Sequence, residues 1–194
     1  MFYNINGERR KLVICGTGTF AQLAFRYFTV DSDYDVYAFV DIEDKCSPHV
    51  VDIEDKSLPP LSHVGDSIPT LPFSSFQESY DAQEYELFVA LDTAESSMRR
   101  KDIYQHAKNE GYRLASYVSS KAAVMGGLRH GDNVFIMENA VIQPGAVIGS
   151  NVVVGCGCVL EAGCTVPDHT RLSSLTLVTP DGITSIAGGV CGSQ

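Results

Sequence analysis

The sequence predicts an α/β domain followed by a parallel β-helix. The β-helix is predicted by an unbroken ladder of aliphatic residues six apart: Ile136, Ile142, Ile148, Val154, Leu160, Val166, Leu172 and Val178. The residue two places before each is small or β-branched: Val134, Ala140, Ala146, Val152, Cys158, Cys164, Thr170 and Thr176. An α-helix has a period of about 3.6 residues and a strand a period of about 2, so neither gives this spacing. A triangular coil does, because each of its faces uses one hexad, with the large side chain inside and the small one at the corner.

The preceding residues show strands that alternate with helices. Apolar runs predict strands at 11–15, 36–40, 86–91 and 112–118, and helices are predicted at 22–28 and 96–110. This alternation favours a parallel βαβ sheet, so we assign 1–119 to a Rossmann-like domain and 120–194 to the β-helix. The proline-rich, acidic segment between Asp41 and Pro72 is predicted to be a long loop. It contains the hexapeptide VDIEDK twice, to which we assign no function.

Composition limits the classes of function. The chain has a formal net charge of −10, which argues against binding to nucleic-acid backbones. It does not exclude a small phosphorylated ligand, because a local nest of backbone N–H groups can outweigh the net charge. No apolar run approaches the roughly 20 residues of a membrane span, and the N-terminus lacks a secretory signal pattern. We therefore expect a cytoplasmic protein.

The cysteines are expected to be buried and reduced. Cys158 and Cys164 occupy small-residue positions of the ladder, and Cys156 precedes Cys158 by two residues. The paired C-x₂-C or Cys/His spacing of zinc sites is missing, so we expect no metal ligands and no disulfides.

A glycine-containing turn after the first strand is the main candidate for ligand binding. The stretch Gly16-Thr17-Gly18-Thr19 opens the first helix, and glycines there let the backbone approach a phosphate at the helix N-terminus. Asp41 ends the second strand, where a carboxylate can accept hydrogen bonds from a ribose or a base. These residues favour a nucleotide-containing ligand, either a dinucleotide or a nucleotide-sugar. The alternative interpretation is that the glycines only close a turn and Asp41 only caps a loop.

The two parts together resemble the NeuD/PglD-like family of sugar acyltransferases, which are hexapeptide-repeat enzymes of bacterial surface-polysaccharide pathways. The resemblance covers roughly 11–178 and is carried by KLVICGTGTFA, YAFVD, ELFVALDT, MRRKDIY, GYRLASYVSSKAAV and NVFIMENAVIQPGAVIGSNVVVG. It implies a homotrimer of left-handed β-helices. It also implies that acetyl-CoA is the acyl donor in the groove between neighbouring β-helices and that a nucleotide-sugar binds to the N-terminal domain.

By position, the resemblance also implies roles for individual residues. The segment from Gly16 to Thr19 contacts the diphosphate or the sugar, Asp41 contacts the ribose or base, and Asp92 lies near the base. Arg99 or Arg100 faces a phosphate or, alternatively, belongs to a solvated helix face.

The chain departs from the family at the expected general base. The family uses a histidine on a glutamate- or aspartate-containing coil, and the matching stretch here, GCVLEAGCTVPDH, has Glu161 followed by Ala162. A general base needs a titratable group with a pKa near the working pH, which alanine lacks. Glu161 and His169 are the remaining catalytic candidates, with His130 as another histidine reachable across a subunit boundary. Both histidines are otherwise interpreted as solvated loop residues.

The C-terminus is short for the family, with about two and a half coils between residues 134 and 179. Two classes of function follow. The first is an acetyltransferase that acts on a nucleotide-linked amino sugar or sugar. The alternative is a non-catalytic or regulatory protein that binds nucleotide-sugars, and a nicotinamide oxidoreductase is a third, lesser possibility.

Overall fold

The structure is a computed structural model that describes residues 9–42, 50–52, 67–91 and 96–185. The chain forms two compact units, Met1–Ala115 and Ser116–Gln194, which divide four residues before the boundary assigned from the sequence. Within the described residues, no helix is both long enough and apolar enough to cross a membrane.

The first unit contains a six-stranded sheet. Its strands are β1 (Arg10–Cys15), β2 (Tyr34–Asp41), β3 (Val50–Asp52), β4 (Ser67–Pro72), β5 (Glu86–Val89) and β6 (Arg113–Leu114). Helix α1 (Thr19–Asp31) connects β1 to β2, α2 (Ser96–Asn109) precedes β6, and a 3₁₀ turn covers Phe76–Glu78. The strand order is β3-β4-β2-β1-β5-β6, and all neighbours are parallel except β3 and β4. This confirms the predicted Rossmann-like sheet.

Opposite faces of this sheet have different cores. One core is aromatic: Phe28 of α1 packs against Phe88 of β5 with ring centroids 5.1 Å apart, and Phe25 packs against Phe39 at 5.8 Å. The other contains aliphatic strand residues together with Ile103, Tyr104 and Ala107 of α2. Both faces are covered, which explains why the stretches 12–15 of β1 and 87–89 of β5 are continuously apolar instead of alternating.

A partly buried ion pair and a tyrosine join the amino ends of three strands, at the edge opposite the glycine turn. Glu86 of β5 is 4% exposed. It accepts two hydrogen bonds from Arg10 Nη2, at 2.6 and 2.7 Å, and one from Tyr34 Oη, at 2.7 Å. Burial, followed by the charge of Glu86, raises the pKa of Tyr34. The phenol therefore stays protonated and can donate this bond.

The second unit is a parallel β-helix of three faces. The first face contains β7 (Tyr117–Val118), β10 (Phe135–Ile136), β13 (Val153–Val154) and β16 (Arg171–Leu172). The second contains β8 (Ala123–Val124), β11 (Val141–Ile142), β14 (Val159–Leu160), β17 (Thr176–Thr179) and β18 (Gly182–Ser185). The third contains β9 (Arg129–His130), β12 (Val147–Ile148) and β15 (Thr165–Val166).

The predicted ladder forms the core of the β-helix. All eight aliphatic residues from Ile136 to Val178 are at most 3% exposed and belong to one cluster. Ile136 pairs with Val154, and Val154 pairs with Leu172, so one coil takes 18 residues and each face takes six. Seven of the eight small residues are buried as well, and only Thr170 is partly exposed.

A second ladder with the same period lies at the corners. Eight residues have positive φ between 52° and 81°: Asn133, Asn139, Gly145, Asn151, Gly157, Gly163, His169 and Leu175. They are six apart, and each from Asn139 onward lies three residues after an inward aliphatic residue. Asparagine and glycine adopt this left-handed conformation at lower cost than other residues, which explains their recurrence here.

Two predictions about element boundaries were wrong. The predicted strand at 112–118 is divided between β6 of the sheet and β7 of the β-helix. Between residues 134 and 179 the eight strands β10 to β17 agree with the predicted two and a half coils, and one further coil, β7 to β9, precedes them. The predicted long loop contains β3 and β4, while its 43–49 and 53–66 parts, including most of both VDIEDK copies, lie outside the described residues.

Candidate functional site

The glycine turn lies where the strand order of the sheet reverses direction. β1 is flanked by β2 on one side and by β5 on the other, and ligands of such sheets bind outside the carboxyl ends of the strands at this point. Gly16 has a φ of +124°, and a Cβ there would lie 2.5 Å from the carbonyl oxygen of Ala90. Gly16 also donates its N–H to the Val40 carbonyl at 2.8 Å. A side chain at position 16 is therefore excluded by backbone geometry alone.

The next residues form the N-terminus of α1. Gly18 is the N-cap and has no side-chain cap, its carbonyl accepts from Gln22 N at 3.1 Å, and no acidic residue occupies the first helical turn. Gly18 and Thr19 are exposed and Thr17 is partly exposed. A Cβ on Gly18 would have no heavy atom within 4 Å, so the protein itself does not require glycine there. The Cα of Gly18 thus borders open space at the N-terminus of α1, and helix N-termini are places where anions bind.

Asp41 reaches the same edge of the sheet. It ends β2, is 9% exposed, and its carbonyl accepts from Phe73 N at 3.0 Å. Because Gly16 bonds to the neighbouring Val40, the structure brings Asp41 close to the glycine turn, as the sequence predicted. Asp92 lies outside the described residues.

The two arginines of α2 differ in solvent exposure. Arg99 is exposed, and its Nη2 donates to the Ile42 carbonyl at 3.4 Å. Arg100 is only 3% exposed, so the solvated helix face considered for both arginines is wrong for this one.

Glu161 and Ala162 lie at the corner between β14 and β15. The side chain of Glu161 is partly exposed and that of Ala162 is exposed. The Ala162 N–H donates to Gln143 Oε1 at 3.0 Å. Gln143 was not predicted from the sequence, although it lies 18 residues, or one coil, before Glu161. The polar groups at this corner are the carboxylate of Glu161 and the amide of Gln143, and they lie beside the methyl group of Ala162.

His169 lies at a different corner, between β15 and β16, so the structure does not bring it together with Glu161. Asn133 Nδ2 donates to Asn151 Oδ1 at 2.8 Å, and Asn151 Nδ2 lies 2.8 Å from His169 Nδ1. An amide N–H₂ group can only donate, so His169 Nδ1 accepts and the neutral ring carries its proton on Nε2. In this arrangement the imidazole lone pair is bonded to Asn151.

His130 has the opposite tautomer. Its Nδ1 lies 2.6 Å from the Gly131 carbonyl oxygen, which can only accept, so Nδ1 carries the proton and Nε2 presents a lone pair. The ring is exposed on β9 in the first coil. A histidine oriented by a backbone carbonyl in this way can act as a base through Nε2.

The described cysteines are free thiols. Burial raises the pKa of Cys15 to about 12, and it also raises the pKa of Cys158 and of Cys164. Cys156 is partly exposed, and burial together with a 3.3 Å hydrogen bond to Glu138 Oε1 raises its pKa. In the described part of the chain, no three His, Cys, Asp or Glu side chains are grouped as a metal site.

Comparison with known proteins agrees with this architecture. Residues 127–162 match the family model described as bacterial transferase hexapeptide (six repeats). A search of curated proteins gives no match.

Solved structures match over most of the chain. The acetyltransferase domain of PglB from Neisseria gonorrhoeae has a TM-score of 0.65 and 19% identity, covering 87% of this chain and 73% of that one. The same domain in complex with acetyl coenzyme A has a TM-score of 0.58 and 15% identity, covering 92% and 100%. PerB from Caulobacter crescentus, in complex with CoA and GDP-perosamine, has a TM-score of 0.54 and 19% identity, covering 86% and 73%.

These matches confirm the predicted resemblance and fold class. Residues 127–162 match bacterial transferase hexapeptide repeats, and the chain has the fold of the PglB acetyltransferase domain, a Rossmann-like sheet followed by a left-handed β-helix.

Proposed function

We propose that this protein transfers an acetyl group from acetyl-CoA to the amino group of a nucleotide-linked sugar. The main support is that the chain shares both of its parts, in the same order, with a domain solved with acetyl coenzyme A and with PerB solved with CoA and GDP-perosamine. The open glycine turn at the reversal point of the sheet supports the nucleotide-sugar as acceptor. No metal is part of the proposed reaction.

The nucleotide-sugar binds at Gly16, Thr17, Gly18 and Thr19 in this proposal. The α1 N-terminus donates to the diphosphate, and Asp41 accepts from the ribose or base. Asp92 is assigned to the base by resemblance alone. The exposure of Gly18, together with the space around its Cα, supports this placement because a phosphate can approach the backbone there.

The proposed acyl transfer depends mainly on the neutral amine of the sugar as nucleophile and needs only a weak base from the enzyme. The neutral amine attacks the thioester carbonyl of acetyl-CoA, the C–N bond forms as the C–S bond breaks, CoA leaves as a thiolate, and the attacking nitrogen loses a proton. Glu161 is the proposed proton acceptor, because it is the titratable side chain at the corner where the family has its histidine. His169 remains a catalytic candidate, although its lone pair is bonded to Asn151. An amine that is already deprotonated needs less assistance than a hydroxyl, so N-transfer fits this corner better than O-transfer.

A specific observation favours a second candidate, a nucleotide-sugar-binding protein without transferase activity. At the position where the family histidine is expected, the chain has the methyl group of Ala162 in place of an imidazole. Such a protein retains the ligand site of the first unit and the scaffold of the second.

The oligomeric state, the cellular location and the pathway are also part of the proposal. We expect a homotrimer in the cytoplasm that serves surface-polysaccharide synthesis. The second face of the β-helix supports association because its outward side chains Val141, Val159 and Leu177 are apolar and half-buried.

Ligand-induced thermal shift followed by a thiol-release assay tests this function. A nucleotide-sugar at a hundredfold excess over its Kd should stabilise the fold by about 2.7 kcal/mol, and Gly18→Leu should remove the effect by occupying the place of the phosphate. Gln22→Leu, which changes an exposed residue of the same helix, is the matched control. CoA release with a nucleotide amino-sugar identifies a transferase, whereas binding without release identifies the second candidate. A shift with NADH alone would reject both.

A further inference from the structure

We propose that Gln143 is the oxyanion-binding residue of the acetyl transfer. Its side-chain N–H₂ group donates to the carbonyl oxygen of acetyl-CoA as negative charge develops on that oxygen. This inference rests on the proposed function and adds a catalytic residue to it.

Gln143 and Glu161 lie side by side on neighbouring coils. Gln143 directly follows β11 and Glu161 directly follows β14, and the register pairs Ile142 with Leu160. Paired strands lie about 4.8 Å apart. Since Ile142 and Leu160 are buried in the core, the residues that follow them point outward, and both are partly exposed. The amide and the carboxylate can therefore reach the same bound molecule.

One hydrogen bond determines the orientation of the Gln143 amide. The Ala162 N–H donates to Oε1 at 3.0 Å, and a backbone N–H has no accepting ability, so the bonded atom is the amide oxygen. Within the described part of the chain, Nε2 makes no hydrogen bond. Its two N–H groups are thus available to a ligand. The bond accepted at Oε1 polarises the amide and strengthens these donors.

The backbone donors next to Glu161 are already engaged. The Ala162 N–H donates to Gln143, and the Gly163 N–H donates to the Pro144 carbonyl oxygen at 3.2 Å. Oxyanions in acyl transfer are bound by backbone N–H groups or by side-chain amides such as that of glutamine. Because the two N–H groups that follow Glu161 are bonded to the preceding coil, the side chain of Gln143 supplies the donor at this corner.

The acyl transfer gives the amide and the carboxylate complementary roles. The amine nitrogen attacks the thioester carbon, and the carbonyl electron pair moves onto the oxygen, which accepts from Gln143 Nε2. The nitrogen loses its proton to Glu161. The carbonyl then re-forms as the C–S bond breaks and CoA leaves as a thiolate. Gln143 exchanges no proton, and a contact that strengthens only in the transition state raises kcat without lowering KM.

The experiment compares two variants that both lack the N–H₂ group. Gln143→Glu keeps an oxygen that can accept from the Ala162 N–H, whereas Gln143→Met has neither donor nor acceptor. The matched control is Gln105→Met, the same change at an exposed glutamine of α2. Steady-state acetyl transfer to a nucleotide amino-sugar gives kcat and KM for each protein. Melting temperatures of the ligand-free proteins are also measured, and calorimetry gives the affinity for S-ethyl-CoA, a thioether without the carbonyl group.

Both Gln143 variants should lower kcat about 10²- to 10³-fold, the range for loss of one oxyanion donor. The KM for acetyl-CoA and the affinity for S-ethyl-CoA should stay at the wild-type values, because the lost bond is made in the transition state. Gln143→Met should melt at a lower temperature than Gln143→Glu, since it leaves the Ala162 N–H without its acceptor. Gln105→Met should match the wild type in every measurement.

A loss of kcat in Gln143→Met alone overturns this inference, because the amide then only supports the corner through Ala162. A loss in Gln143→Glu alone also overturns it, because the added charge beside Glu161 then explains the effect. Unchanged kcat in both variants overturns it while the proposed function stands. A wild type that releases no CoA from acetyl-CoA with any nucleotide amino-sugar rejects the proposed transfer and this inference with it.

Discussion

Asn151 and His169 lie 18 residues apart in sequence and are joined by a hydrogen bond of 2.8 Å between Asn151 Nδ2 and His169 Nδ1. Asn133 makes the corresponding bond to Asn151 one coil earlier. All three residues have positive φ, at 52°, 56° and 62°. His169 therefore ends a ladder of corner side chains, and its position is explained by the architecture of the β-helix without any catalytic role.

This ladder predicts the effect of changing His169. Asparagine tolerates the left-handed conformation and can accept the same bond, so His169→Asn should retain wild-type stability. His169→Ala should lose about 1–2 kcal/mol in urea denaturation through the lost hydrogen bond and the unfavourable φ. If His169→Asn folds normally and abolishes acetyl transfer, His169 is a catalytic residue.

Leu175 is the least suitable residue of the corner ladder. It has a φ of 61° and is 52% exposed. Leu175→Asn should raise the free energy of unfolding by about 1 kcal/mol, because it relieves the left-handed strain of a leucine. Guanidinium denaturation measures this. A decrease would mean that the packing of Leu175 over Gly157 outweighs the strain.

Gly149 is predicted to be required by close packing between coils. A Cβ at this position would lie 2.6 Å from Asp168 N and 3.0 Å from Asp168 Cα, and this backbone cannot move aside. Gly149→Ala should cost at least 1–3 kcal/mol of stability. Gly127→Ala is the matched control, because a Cβ there meets no heavy atom within 4 Å, and it should change stability by less than about 0.5 kcal/mol. Similar melting temperatures for both variants would contradict the predicted clash.

The thiols should differ in reactivity. Since burial raises the pKa of Cys15 to about 12, only about one molecule in 10⁴ carries its thiolate at pH 8, and Cys158 and Cys164 are also buried. Iodoacetamide at pH 8 should therefore modify Cys156 well before these three in the native protein, and all four after denaturation. Peptide mass spectrometry measures the order, and rapid native labelling of Cys15 would contradict the buried β1.

Ala162→His should increase the rate of acetyl transfer. The position is exposed and follows Glu161, so an imidazole fits without displacing the core. A positioned general base is typically worth roughly 10² to 10⁴ in rate, of which a new histidine should supply part, and more on hydroxyl than on amine acceptors. Thiol release is compared with that of Ala162→Gln. Brisk wild-type turnover that the histidine does not change would place the base elsewhere, with His130→Ala as the next variant.

The β-helix could be predicted from the sequence because its core requires the same kind of side chain at regular intervals. From Ile136 to Val178 every sixth residue must fill the core, so the ladder was visible and all eight side chains are buried. In the first coil the equivalent inward positions are Val118, Val124 and His130, the last of which is exposed, so the apolar signal fades although the strands continue.

The strand β4 was missed for a different reason. Its sequence SIPTLP contains Pro69 and Pro72, which cannot donate to a ladder and therefore indicated a loop. In the structure Pro69 precedes the residues of β4 that pair with β2, which begin at Thr70, and Pro72 is the last of them.

The candidate site could be predicted only where local sequence determines it. Gly16 and Asp41 were named because a turn and a strand end are local features. Gln143 and Asn151 make contacts with residues 19 and 18 positions away, which no short motif records.

The antiparallel strand β18 determines how this protein can change in length. It pairs with β17 over Thr176–Thr179, so a further coil cannot be added in parallel register at that position. Insertions or deletions in the β-helix therefore have to occur upstream of β17. Six inserted residues between Asn133 and His169 would keep every aliphatic residue inside but would move His169 to a different corner from the asparagines. The hydrophobic core thus tolerates length changes of six residues, whereas the hydrogen bonds between residues 18 apart permit only changes of 18 residues.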